Sequence, residues 1–128
     1  MVMMKTMTNL EIYAYADALM NALKEEITLP VKVNFYLQKN MTRMIEAGKE
    51  VEKARMGIIQ KYGTPTEDGQ NIEVSADMVE VVNKELEDLF ALEQEIKVNE
   101  IALEAFDGIE LTSAQVAAIA FMIKDEEE

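Results

Sequence analysis

The sequence predicts a mainly α fold with a small β element: a long antiparallel helical hairpin, preceded by an N-terminal helix and followed by a short β-hairpin and a C-terminal helix. Three observations predict it. Leu37, Met41, Met44, Gly48, Val51, Arg55, Ile58 and Tyr62 recur at alternating steps of four and three, and Val79, Val82, Leu86, Leu89, Glu93 and Ile96 do the same further on. Such seams mark helices that lie along one another. A short connection rich in turn formers, Thr64-Pro65-Thr66-Glu67-Asp68-Gly69, separates the two stretches and favours antiparallel neighbours. The stretches also differ in charge: residues 31–62 carry 7 basic and 3 acidic side chains, and residues 76–95 carry 7 acidic side chains and Lys84 alone. Complementary flanks set register and orientation, although each exposed pair is worth only about 0–1 kcal/mol.

Residues 1–7, with Met1, Met3, Met4 and Met7, read as disordered. Thr8-Asn9-Leu10-Glu11 is a capping box that opens a helix over 9–27, with Ile12, Ala16, Leu19, Leu23 and Ile27 along one stripe and Leu10, Tyr13 and Met20 widening it. Pro30 suits the first turn of the next helix, 31–62, although Val31-Lys32-Val33-Asn34-Phe35 also alternates like a strand. Gly48 on the seam allows another helix to approach closely, and Gly63 is positioned to cap the C-terminus. Ile72-Glu73-Val74 reads as a short strand, and Ser75 as the N-cap of a third helix over 76–94. From Ile96 the period falls to two: a strand through Leu103 with a bulge at Asn99-Glu100, a turn at Asp107-Gly108 and a second strand over 109–111 make the β-hairpin. Whether these strands pair with each other or with a partner stays open. Thr112-Ser113-Ala114-Gln115 is a second capping box, opening a helix through Ile123, and residues 124–128 form a solvated acidic tail.

The chain of 128 residues is expected to form a single domain, with no repeat and no linker. It contains no Cys, His or Trp. That excludes disulfides, thiolate nucleophiles, imidazole bases and the usual zinc ligands. No phosphate-cradling glycine loop and no calcium-loop spacing is present, so carboxylate pairs such as Glu93 with Glu95, or Glu46 with Glu50, are the only conceivable acid–base or metal groups. Solvated helix faces account for them, and the expectation is no enzyme activity, no cofactor and no metal. The net charge is −13, made up of −15 over residues 64–128 and +2 over residues 1–63. It disfavours direct nucleic-acid binding and suits a basic protein partner. The start MVMMKTMTNL lacks the apolar run of a signal peptide, and no stretch is long enough to span a membrane, so a cytoplasmic location is expected.

Candidate interface residues come from the aromatics and from one arginine. Tyr13 and Tyr15 cannot share a helix face, so one of them is expected outside, and the same holds for the adjacent Phe35 and Tyr36. Exposed aromatics are natural anchors for a protein partner. Arg55 on the seam either grips a partner carboxylate or reaches a nearby acidic side chain such as Glu87 or Asp88.

The order of local motifs carries a resemblance. Thr8-Asn9-Leu10-Glu11-Ile12 is followed by Leu29-Pro30-Val31-Lys32-Val33, Lys39-Asn40, Glu52-Lys53-Ala54-Arg55 and Lys61-Tyr62-Gly63, then by Asn83-Lys84-Glu85-Leu86, the 109–115 segment and Met122-Ile123. Over residues 8–125 this resembles a family of small proteins of unknown function encoded by tailed phages and prophages of Gram-positive bacteria. The resemblance implies a phage origin and a helical hairpin with a small β element, and it brings no catalytic residues. Family members often carry a longer loop after the position of Gly63, and the short 64–74 connection departs from that. The expected function is a non-enzymatic, protein-binding phage protein, an intracellular modulator or inhibitor of a host or defence protein. The alternative is a virion assembly or structural component built as a helical homo-oligomer. Mass analysis of purified virions separates the two.

Overall fold

The computed structural model describes residues 2–23 and 28–124. Helices dominate it, with three small two-stranded β elements. In chain order these are β1 (Val2–Thr8), α1 (Asn9–Ala22), α2 (Val31–Tyr62), β2 (Gly63–Pro65), β3 (Ile72–Val74), α3 (Val79–Ala91), β4 (Glu93–Asn99), β5 (Ile101–Ala102), α4 (Ser113–Ile119) and β6 (Ile123–Lys124). Single 3-10 turns precede α3, follow β5 and follow α4.

Both capping boxes form as the sequence predicts. The Thr8 hydroxyl accepts from the Glu11 N–H while the Thr8 N–H donates to the Glu11 carboxylate, and Thr112 and Gln115 repeat the arrangement. The second helix keeps its expected bounds, and Val31–Phe35 is helical. Of helix one, residues 9–22 are helical, and the expected extension over 24–27 lies outside the described residues.

The N-terminus corrects the expectation of disorder over 1–7. Residues 2–8 are a strand antiparallel to β4, in the register Val2 to Asn99 through Thr8 to Glu93. An isolated β4 would leave its backbone groups unpaired, and the N-terminal segment supplies that pairing. Its inward residues are Met3, Lys5 and Met7, opposite Val98, Ile96 and Gln94. Lys5 points inward, and its ammonium donates to the Phe121 carbonyl at 2.6 Å in the turn after α4.

The expected β-hairpin over 96–111 is absent. β4 pairs with β1, β5 pairs in parallel with β6, and residues 109–111 form no strand. Segments from the two ends of the chain meet the two halves of the central strand, and the break falls at Glu100, where a bulge is expected. The C-terminal helix accordingly stops at Ile119, and Lys124, expected in the tail, pairs with Ala102 in β6. Residues 125–128 of that tail lie outside the described residues.

The third helix is also shorter than its seam suggests. It ends at Ala91, Leu92 is extended, and Glu93 and Ile96 belong to β4. With 13 residues against 32, α3 spans about 20 Å beside an α2 of about 48 Å, so it cannot pair along the whole length. The expected Ser75 cap makes no side-chain bond to the turn that follows it. Gly63 is extended rather than left-handed (φ −104°, ψ 169°). A side chain there would collide with Ile72 across the β2–β3 ladder and come within 2.7 Å of the Ile59 carbonyl, so close approach explains the glycine.

The main helix pair is α1 against α2. Ile12, Ala16 and Leu19 face Leu37, Met44, Gly48 and Val51, and Ile96, Val98, Ala118, Ile119, Phe121 and Met122 complete the core. Gly48 allows the contact: a Cβ added there would lie 2.5 Å from the Ala16 Cβ. Fully burying an Ile or Leu such as Ile12 or Leu19 contributes about 1.5–3 kcal/mol.

Among the described residues four polar side chains are buried, and three of them bond to backbone groups. The Asn40 amide donates to the Asn99 carbonyl (2.8 Å) and accepts from the Asn99 N–H (2.7 Å), pairing with the end of β4 as a neighbouring strand would. Asn9 donates to the Leu89 carbonyl and accepts from Gln94, tying α1 to the end of α3. Gln115 donates to the Ala22 carbonyl at the end of α1, and Asn99 accepts from Arg43 at 2.6 Å.

Candidate protein-binding surface

The candidate interface residues separate into three places. Tyr13 and Arg55 come together through Glu52. The Tyr13 hydroxyl donates to Glu52 Oε1 at 2.8 Å, and the Arg55 guanidinium donates to both carboxylate oxygens at 2.6 and 2.9 Å. Arg55 thus pairs within its own helix rather than with Glu87 or Asp88. Its hydrogen bonds, followed by that of Tyr13, pull the Glu52 carboxyl down to about 2, and the same bond to Glu52 raises the Tyr13 hydroxyl above its ordinary range. A carboxylate so fully bonded and so acidic offers no general base.

This network makes a pH prediction. The folded pKa of Glu52 lies below its unfolded value near 4.3, so its contribution is complete above that value and is lost as pH falls through about 2. The stability difference between wild type and Glu52→Gln is expected to close between about pH 4.5 and 2. Glu52 is 41% exposed, so solvent screening holds the difference to about 1 kcal/mol or less. Urea unfolding of both proteins across that range checks it, and a gap that does not change with pH would refute it.

Tyr15 lies elsewhere, tilted on Phe121 with ring centres 4.9 Å apart. Neither Tyr13 nor Tyr15 is exposed: both are half-buried, because α1 packs against α2 and α3 on one side and α4 on another. This corrects the expectation that one of them faces outward. Phe35 does face outward, at 56% exposure, and Tyr36 beside it is half-buried. Phe35, Gln38, Lys39, Thr42 and Arg43 surround a shallow depression of about 270 Å³, with the Lys39 ammonium 5.1 Å from the Phe35 ring centre.

A cleft lies where the sequence marks no site. Thr8, Leu10, Asn83, Leu86, Glu87, Phe90 and Ala91 line a groove of about 580 Å³ between the start of α1 and one face of α3. Leu10 is 57% exposed at its edge, and the Tyr13 ring stands edge-on to Phe90 at 5.7 Å, holding the floor. The helical period puts Val79 and Glu80 on the same face as Asn83, Leu86 and Glu87, and Glu93 is the ladder partner of Thr8. The result is an apolar trough with Glu87 in its lining and no basic side chain there, and the helix period and the ladder place the exposed Glu80 and Glu93 nearby. In the sequence Leu10 only widens the stripe of the first helix and Phe90 lies one position from the seam residue Leu89, so neither marks a site by itself.

Such a surface can take an apolar side chain flanked by positive charge. Among the described residues no three acidic side chains gather closely enough to share a cation, and no helix is long and apolar enough to cross a membrane. Comparison of the chain with protein-family models, with curated proteins and with solved structures gave no match.

Proposed function

We propose that this chain is a protein-binding protein without catalytic activity, encoded by a phage as the sequence resemblance implies, and that it modulates or inhibits a host or defence protein through its acidic half. The observation that carries this reading is the apolar groove over Leu10, Leu86 and Phe90 with carboxylates at its rim. Its fitting partner presents an apolar anchor among lysines or arginines. Carboxylate fields of this kind raise encounter rates and reject acidic competitors, while the buried apolar contact sets the lifetime of the complex.

The test compares immobilised wild type, Leu10→Asp and Glu87→Lys against host lysate. A basic protein retained by wild type, released by salt and at least tenfold depleted on both variants is the expected result. Identical capture by all three would sink the groove as the binding surface.

A further inference from the structure

We infer that the aromatic knob at Phe35 docks into the Leu10–Phe90 groove of a second copy of this chain, joining copies head to tail. This rests on the reading of that groove as a docking surface and names an occupant for it. The two surfaces are complementary in charge, and each has an apolar centre. Between Val31 and Ile45, α2 carries Lys32, Lys39 and Arg43 and no acidic residue. Among the described residues neither Lys32 nor Lys39 has an ion-pair partner; instead Lys39 lies over the Phe35 ring and Lys32 stands 6.0 Å from the centre of Tyr36. Val31, 87% exposed, extends the apolar part of this face by one turn. The exposed Phe35 ring flanked by cations therefore matches an apolar trough that has Glu87 in its lining, with Glu80 on the same helix face and Glu93 paired with Thr8.

The same charges decide the geometry. Groove against groove would bring carboxylates together, and knob against knob would bring ammonium groups together, so both symmetric pairings are opposed. Knob and groove share no residue, so one copy can use both at once. A head-to-tail contact then continues until it closes into a ring or grows as a filament. A basic protein partner would compete with the second copy for the groove.

Light scattering over a concentration series at low and high salt tests this. Wild type is expected to rise above the single-chain mass of 14.5 kDa as concentration increases, and to need a higher concentration when salt is added. Phe35→Asp and Leu10→Asp, both at exposed positions, are each expected to associate at least tenfold more weakly. An equimolar mixture of the two is the decisive sample. It contains one intact knob and one intact groove, so it is expected to form particles of two chains and nothing larger. Glu87→Lys serves as a second groove variant should Leu10→Asp disturb the capping turn. Wild type that stays monomeric throughout, a Phe35→Asp chain that assembles like wild type, or a mixture that stays monomeric would each overturn the proposal. Monomeric wild type that still captures a basic partner through Leu10 would overturn self-docking alone. Self-association without any Leu10-dependent partner would instead overturn the reading of the groove as a site for a host protein.

Discussion

Replacing Asn40 with leucine is expected to cost roughly 2–4 kcal/mol of folding stability, the largest loss from any single polar side chain here. Leucine has the same branched skeleton with bulkier methyl ends, so the change removes the hydrogen bonds without opening a cavity. It removes the donor to the Asn99 carbonyl and the acceptor from the Asn99 N–H, and Asn99 is itself buried. Both backbone groups then stay out of water without partners, at about 1–3 kcal/mol each. Asn40→Asp keeps the acceptor but loses the donor and buries a charge, so it is expected to be no milder. Urea unfolding measures the effect, with an unchanged slope showing that the folded and unfolded ensembles are otherwise alike. A loss below about 0.5 kcal/mol would mean that water reaches the end of β4.

Gly48→Ala is expected to destabilise the protein by about 1–2 kcal/mol, although alanine in a helix interior is intrinsically better than glycine by about 1 kcal/mol. The added methyl would sit 2.5 Å from the Ala16 Cβ, so α1 and α2 must separate at that contact. Gly57→Ala, in the same helix with open space around it, is expected to raise stability by about 0.5–1 kcal/mol. The opposite signs isolate packing from propensity. Making Ala16→Gly first is expected to remove most of the cost of Gly48→Ala, and that coupling places the contact between these two residues. Equal and favourable effects at both glycines would show that α1 and α2 do not approach this closely.

The candidate surface was only partly legible. Adjacency puts one of Phe35 and Tyr36 outward, since two neighbours on a helix cannot share a face, and the structure alone decides that it is Phe35. The same reasoning failed for Tyr13 and Tyr15, because it assumes that one side of the helix is wet. Helix α1 has protein on both of those sides, and each tyrosine finds an aromatic partner there, Phe90 for one and Phe121 for the other. The Leu10–Phe90 groove was missed because its walls come from residues some 80 positions apart, each unremarkable in its own helix. Asn40 was passed over for a related reason: a polar residue beside Met41 on a seam says nothing about the backbone it serves until β4 is in place.

By itself the sequence determined what local chemistry controls. Both capping boxes, the bounds of α2 and the Ile72–Val74 strand follow from short-range hydrogen bonding, proline geometry and apolar period, which act within a few residues. Composition also set the acidic character and removed thiol and imidazole chemistry. The tertiary structure alone decided which strands pair, where α3 gives way to β4, and that the first residues are a strand and not a tail. A β-strand takes its stability from a partner that can lie anywhere in the chain, and the partners here come from its two ends, β1 for β4 and β6 for β5.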